Sequence, residues 1–217
     1  MKTSSHAASR TILGIVGLVV AFCFAPNAWA GAPTDQLRDG VRRVFKVLRD
    51  PTLKGEEKAA DRQAAIRSIA YDIFDFGETA KLSLGQHWEQ RTPAEREEFV
   101  RLFTDLIQRS YITKVEGYDS DKMAFRGETV AGDNATVRTT LLLNQGNQMP
   151  LDYRMHDTSG RWQVYDISID GVSLIANYRA QFNKVIRTSS YDALVARLKS
   201  HQSEFAPAAS SGRNSVR

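Results

Sequence analysis

The stretch Gly160–Phe182, GRWQVYDISIDGVSLIANYRAQF, decides the fold because its spacing changes from that of a strand to that of a helix. Large side chains alternate up to Ile169, which predicts a strand with apolar residues on both faces. One face would carry Tyr165, Ile167 and Ile169, and the other Trp162 and Val164. Asp170-Gly171 follows as a tight turn. The stretch therefore predicts a strand that is apolar on both sides and ends in a sharp reversal.

The residues after this turn repeat at helical spacing. Apolar side chains recur every three or four positions and form one stripe: Leu174, Ile175, Tyr178, Phe182, Val185 and Ile186. The helix and the preceding strand together present a wide apolar surface. We interpret this surface as half of a lipid pocket.

Upstream, period-two spacing and turn-rich links predict three more strands. The four predicted strands are Lys122–Val130, Ala135–Leu143, Met149–His156 and Arg161–Ile169. Short links between them imply an antiparallel meander. The third strand carries its apolar side chains on one face (Met149, Leu151, Tyr153, Met155), and we expect four residues of the first two strands to join that face: Met123, Phe125, Val137 and Leu141.

Helices are predicted on both sides of these strands. The N-terminal ones cover Thr34–Arg49 with Thr34 as cap, about Glu56–Phe74, a short segment ending near Gly85, and a long helix that ends by Gly117. The long helix begins with Thr92-Pro93-Ala94-Glu95, a capping box with proline at the first helical position. A last short helix, Tyr191 to about Ser200, is capped by Ser190. The predicted class is α+β.

The first thirty residues read as a signal peptide. Lys2 and Arg10 flank a polar start, an apolar run follows that is too short to span a bilayer, and Ala28-Trp29-Ala30 supplies a cleavage site after Ala30. We therefore expect an exported, periplasmic protein. A single domain would occupy residues 31–205, and residues 206–217 would be a disordered tail because they lack an apolar period.

Charge and motifs exclude several classes of function. The chain carries +4, and removal of the two leader cations leaves the mature protein near +2, which argues against a nucleic-acid partner. The histidines are scattered, so no metal site or other cofactor is expected, and no catalytic motif favours an enzyme. Asp72 and Asp75 read as a solvated helix end, and Asp166 and Asp170 as residues that stabilise turns.

Two alternatives to a lipid pocket stay open. An enzyme could use Asp166 as a carboxylate within an apolar pocket. A binding module with a fully packed interior would need no pocket, since the aromatic residues suffice to fill a core. For a pocket, we predict this lining from the buried faces: Phe103, Ile107, Met123, Phe125, Val137, Leu141, Leu151, Tyr153, Met155, Tyr165, Ile167, Leu174 and Tyr178.

Several segments, in order along the chain, resemble the MlaC or toluene-tolerance family of periplasmic phospholipid-binding proteins. They are Asp75-Phe76 with Ala80-Lys81-Leu82, Leu84-Gly85 and Trp88; Thr92 to Phe99; and the opening stretch from Trp162 through Asp170-Gly171-Val172-Ser173-Leu174 to Gln181-Phe182. The resemblance implies a curved sheet, similar in part to the NTF2-like group, with acyl chains held between sheet and helices.

The same resemblance implies a carrier's partners. These would be an inner-membrane ABC transporter complex with an MCE-domain protein, an outer-membrane lipoprotein complex, and a phospholipid as cargo. The chain is also similar to the hopanoid-associated HpnM subgroup, for which the cargo would be a rigid polycyclic lipid. The sequence does not separate these two lipids.

Overall fold

The computed structural model describes residues 33–116, 123–143, 146–200 and 205. The predicted signal peptide and the tail from residue 206 lie outside these residues, so both stay predictions. No helix among the described residues has the length and apolarity that crossing a membrane would require.

Six helices and five strands make up the described fold, which confirms the predicted α+β class. The helices are α1 (Pro33–Arg49), α2 (Ala59–Ile73), α3 (Phe76–Leu84), α4 (Pro93–Glu116), α5 (Leu174–Thr188) and α6 (Tyr191–Lys199). The strands are β1 (Met123–Ala131), β2 (Asn134–Leu142), β3 (Gln148–Asp157), β4 (Trp162–Ile169) and β5 (Val172–Ser173). Short 3-10 turns cover Pro51–Leu53, Glu56–Lys58 and Gly85–His87.

The sheet is an antiparallel meander in the order β1-β2-β3-β4-β5. The predicted four strands are present, and β5 adds a two-residue fifth strand. Asp170 and Gly171 have φ angles of 50° and 79°, so both adopt the left-handed conformation that a two-residue hairpin turn requires. This turn pairs Ile169 with Val172 and directs the chain into α5.

A β-bulge in β4 corrects the predicted alternation of that strand. Arg154 pairs with Asp166 but Met155 pairs with Val164, so Tyr165 is an extra residue on β4. A bulge interrupts strict alternation because two residues lie opposite one. Trp162 and Val164 consequently join Ile169 in one buried cluster instead of lying on the opposite face.

The buried side chains form two clusters. The packed helical core joins α3, the first half of α4, α5 and α6: Ala80, Leu84, Phe99, Leu102, Phe103, Leu106, Leu174, Tyr178, Phe182, Val185, Tyr191, Leu194, Val195, Leu198 and Phe205. The sheet core joins α1 to the strands: Leu37, Ala135, Val137, Leu141, Leu151, Tyr153, Met155, Trp162, Val164 and Ile169. Tyr111 of α4 packs against both.

Most predicted helix starts are confirmed by side-chain hydrogen bonds. Glu95 N donates to the Thr92 hydroxyl at 3.3 Å and Thr92 N donates to the Glu95 carboxylate at 2.7 Å, which is the capping box. Ser190 accepts from Ala193 N at 3.0 Å. The predicted Thr34 cap is wrong: α1 already begins at Pro33, and the Thr34 hydroxyl and N–H donate to Glu128 of β1.

Candidate binding cavity

An apolar cavity of about 250 Å³ lies between one face of the sheet and the helices. Its sheet wall consists of Met123, Leu141, Met149, Leu151, Tyr153, Tyr165, Asp166, Ile167 and Ile169. Its helical wall consists of Leu37, Val41, Val44, Phe45, Ile66, Ala70, Ile73, Phe74, Phe76, Thr79, Ile107, Gln108, Tyr111, Ile112, Lys114, Val115 and Leu174. Nearly all of these side chains are aliphatic or aromatic. Such a lining suits hydrocarbon and excludes charged ligands from the interior.

A second, larger cleft of about 490 Å³ shares Leu37 and Ile73 with the cavity but has different chemistry. Its polar side chains pair with one another: Arg43 Nη1 donates to the Asp72 carboxylate at 2.8 Å, and Arg161 Nη2 donates to the Asp72 backbone oxygen at 2.9 Å. Charged groups that satisfy each other at an open surface leave no shielded apolar space. We therefore assign the apolar cavity as the candidate site, although the polar cleft is larger.

Eight of the residues predicted from sequence to line a pocket lie in the cavity wall. They are Ile107, Met123, Leu141, Leu151, Tyr153, Tyr165, Ile167 and Leu174. The other five lie elsewhere. Phe103 and Tyr178 belong to the packed helical core, Val137 is enclosed in the sheet core, and Met155 borders the polar cleft. Phe125 lies beneath Arg38, whose guanidinium carbon is 4.7 Å from the centroid of the Phe125 ring.

Sequence reasoning left out most of the helical wall. The apolar stripes of α1 and α2 are visible in the sequence as periodic residues, among them Val41, Phe45 and Ile66. In the structure these residues line the cavity. Helical periodicity identifies a buried face but not the element or space that this face meets. Phe74 and Phe76 were also left out. They lie at the α2–α3 junction with stacked rings 5.6 Å apart.

Asp166 is the acid of the cavity wall, and it binds the start of α5, whose N-cap is Ser173. Its carboxylate accepts from the Ser173 hydroxyl at 2.7 Å and from Ile175 N at 3.1 Å, and Arg154 Nη1 lies 3.4 Å away. Three donors therefore occupy its oxygens. This confirms the predicted structural role for Asp166, because an acid in this position binds turn and helix N–H groups.

The remaining polar groups of the wall are few. The Thr79 hydroxyl lies 2.8 Å from the Tyr165 backbone oxygen, which connects α3 to β4. Burial raises the pKa of Tyr153 to about 12, so its phenol stays neutral at physiological pH. Gln108 is buried within the wall. Lys114 also belongs to the wall, and its side chain is exposed. Among the described residues, no group of three or more His, Cys, Asp or Glu side chains is placed to hold a metal ion.

An α+β fold whose antiparallel sheet and helices surround an apolar cavity defines a class of binding protein for hydrophobic ligands. Comparison with known proteins then specifies the family. The model of the MlaC protein family matches residues 38–200, most of the chain, and the chain belongs to this family.

Two relatives illustrate the similarity. The intermembrane phospholipid transport system binding protein MlaC of Haemophilus influenzae is 24% identical over 126 residues, which cover 56% of this chain and 59% of that protein. The chain therefore matches less than two thirds of that relative's length. Among solved structures, the phospholipid-binding protein from Ralstonia solanacearum, in complex with a phospholipid, superposes with a TM-score of 0.68 at 27% identity, covering 76% of this chain and 94% of that one.

Proposed function

We propose that this protein is a periplasmic lipid carrier that encloses the acyl chains of a phospholipid in its apolar cavity. The observation that carries the proposal is the lining of the cavity, in which sheet and helices converge on one shielded hydrocarbon space. Each methylene removed from water contributes about 0.8 kcal/mol, so an enclosed chain is strongly favoured over an exposed one. The Haemophilus and Ralstonia relatives, whose names include phospholipid transport and phospholipid binding, support the same ligand class.

The carrier would move its lipid between an outer-membrane lipoprotein complex and an inner-membrane ABC transporter complex with an MCE-domain protein. Support for this step comes from family membership and from the leader-like residues 1–30. No covalent chemistry or cofactor is required, since transfer needs only a cavity that opens when the protein is docked. A hopanoid is the alternative cargo, and an apolar cavity by itself accommodates either lipid class.

The direct test is the mass of the lipid that copurifies with the full-length chain. Native mass spectrometry of protein from a lipid-containing host should show a complex whose added mass is that of a phospholipid. A mass matching a polycyclic lipid would favour the hopanoid alternative. Protein that emerges empty and takes up no lipid from vesicles would contradict the carrier function.

A cavity-filling variant gives a second test with a matched control. Ala70 lines the cavity from α2, so Ala70→Phe places a ring in the space that a lipid chain would use. We expect lipid loading to fall at least several-fold while the protein stays folded. Ala64→Phe makes the same substitution at an exposed position of the same helix and should load like the original protein. Equal loading of both variants would count against the cavity as the lipid site.

A further inference from the structure

One polar side chain in the cavity wall lacks a partner. Gln108 lies on α4, is only 9% exposed and lines the cavity. Its amide nitrogen Nε2 is buried and has no hydrogen-bond partner among the described residues. A buried amide donor left unpaired is costly and uncommon in folded proteins, so its presence in a binding cavity indicates that a ligand supplies the acceptor.

No group of the described residues accepts a hydrogen bond from Gln108 Nε2. The acid of the wall, Asp166, already receives the Ser173 hydroxyl and Ile175 N, and the Thr79 hydroxyl is bound to backbone oxygen. A bound water would need two to four polar partners, and a lining that is almost entirely aliphatic or aromatic does not favour one. Of the α4 neighbours of Gln108 in the wall, Ile107 and Ile112 offer only hydrocarbon, and Tyr111 does not accept from Gln108 Nε2.

We propose that Gln108 Nε2 donates a hydrogen bond to an ester carbonyl of a diacyl glycerolipid whose chains occupy the cavity. The proposal rests on the carrier function and names the part of the lipid that the site recognises. An ester carbonyl is a neutral acceptor, so its burial is favourable once it is paired. A phosphate at the same depth would be a buried charge without a partner.

The position of the nearest cavity cation agrees with this assignment. Lys114 follows Gln108 by six residues, which places it about 9 Å further along the helix axis, and it is an exposed member of the wall. Its ammonium lies 5.3 Å from the Tyr111 ring centroid. Along α4 the wall therefore offers an amide donor and then a positive charge, the order in which a phospholipid presents its ester and its phosphate. A hydrocarbon polycycle would leave the amide unpaired, so the site favours an ester-linked lipid.

The test compares two lipids that differ only in whether their chains are attached through ester carbonyls or through ether oxygens. Delipidated full-length protein is incubated with an equal mixture of a diester phospholipid and its diether analogue of the same chain length and head group. The bound ratio is measured by native mass spectrometry. We expect the original protein to prefer the diester by several-fold to about tenfold, the range that one hydrogen bond contributes. Gln108→Leu should bind both lipids equally.

Gln90→Leu is the matched control, since it makes the same substitution at an exposed position outside the cavity wall, and it should keep the diester preference. Gln108→Met replaces the leucine variant if the latter does not fold. An original protein without preference, or a Gln108→Leu variant that keeps it, would overturn the assignment while lipid uptake still supported the carrier. Failure of the original protein to take up either lipid would overturn the carrier function itself.

Discussion

The two halves of α4 lie in surroundings that differ in how completely they are filled. In its first half, Phe99 and Phe103 stack 5.9 Å apart, and Phe182 of α5 meets both rings edge-on at 5.7 and 5.3 Å. In its second half, Ile107 and Ile112 face the cavity. One amphipathic helix thus belongs to a solid core at one end and to a container wall at the other. The element that packs against each half of α4 determines whether that half belongs to the packed core or to the cavity wall.

This difference has an energetic consequence. Side chains beside open space lose the dispersion contacts that close packing provides, so the cavity region contributes less to stability per buried residue. We therefore expect the packed helical core to contribute more to stability per buried residue than the cavity region does. The chain combines a rigid support with a region whose walls have space to accept a ligand, and substitutions should affect the two regions differently.

The largest expected difference is between two phenylalanines. Phe103 is 1% exposed and touches the rings of Tyr178 and Phe182, so Phe103→Ala should lower the free energy of unfolding by about 4 kcal/mol. Phe74 is half-buried beside the cavity, and Phe74→Ala should cost about half of that or less because less contact is lost. Urea unfolding of delipidated protein measures both values.

Lipid loading provides the complementary measurement for this pair. Phe74→Ala enlarges the cavity and should leave the protein able to take up phospholipid, whereas Phe103→Ala should lose uptake only in proportion to the unfolded fraction. Equal stability losses for the two variants would remove the distinction between a solid and a hollow region.

The sequence predicted the elements better than the space between them. Periodicity and turn residues identified the long helices and the meander because these signals are local: Thr92 and Ser190 mark helix starts from the side chains next to them. The bulge at Tyr165 was missed, since it arises from pairing with β3 and not from β4 itself. One extra residue moved Trp162 and Val164 to the same cluster as Ile169.

The location of the cavity was harder to predict for the same reason. Phe103 and Ile107 are one helical turn apart and both apolar, yet Phe103 is enclosed by the α5 rings, whereas Ile107 is partly buried against the same core and also lines the cavity. Which of them lines a cavity depends on where α5 lies relative to α4, a tertiary relation that no window of residues encodes. Gln108 reads as an ordinary polar position until its burial is known.

The second largest effect on stability is expected where the cavity wall contacts the packed helical core. Asp166, in the cavity wall, binds the Ser173 hydroxyl and Ile175 N at the start of α5, a helix of the packed core. Asp166→Asn replaces one acceptor oxygen by a donor, so at least one of these bonds is lost. Because hydrogen bonds to charged groups contribute about 1.5–3 kcal/mol, we expect a loss of about 2 kcal/mol by urea unfolding.

Asp170→Asn is the control for this substitution. Asp170 lies at a φ of 50° in the β4–β5 turn, a conformation that asparagine also adopts, and the change should alter stability by less than about 0.5 kcal/mol. Folded Asp166→Asn protein should still load lipid, because the carboxylate holds a helix. Loss of uptake in the folded variant would instead assign Asp166 a direct part in ligand chemistry and revive the enzyme alternative.

The smallest effect is expected at the far end of the packed region, where α4 begins. Thr92→Ala removes the hydroxyl that accepts from Glu95 N, and loss of such a cap costs about 1 kcal/mol. The N–H and the hydroxyl of Thr92 also donate to the Glu95 carboxylate and lower its pKa. The part of the capping box that depends on the ionised carboxylate is therefore present above the ordinary glutamate pKa and is lost as pH falls through the lowered value. The stability difference between the original protein and Thr92→Ala should therefore narrow in acid, as measured by urea unfolding across that range.

Thr92→Ser keeps a hydroxyl and should match the original protein. Lipid uptake should stay unchanged in both variants, since Thr92 lies outside the cavity wall, and reduced uptake would mean that the two halves of α4 are coupled.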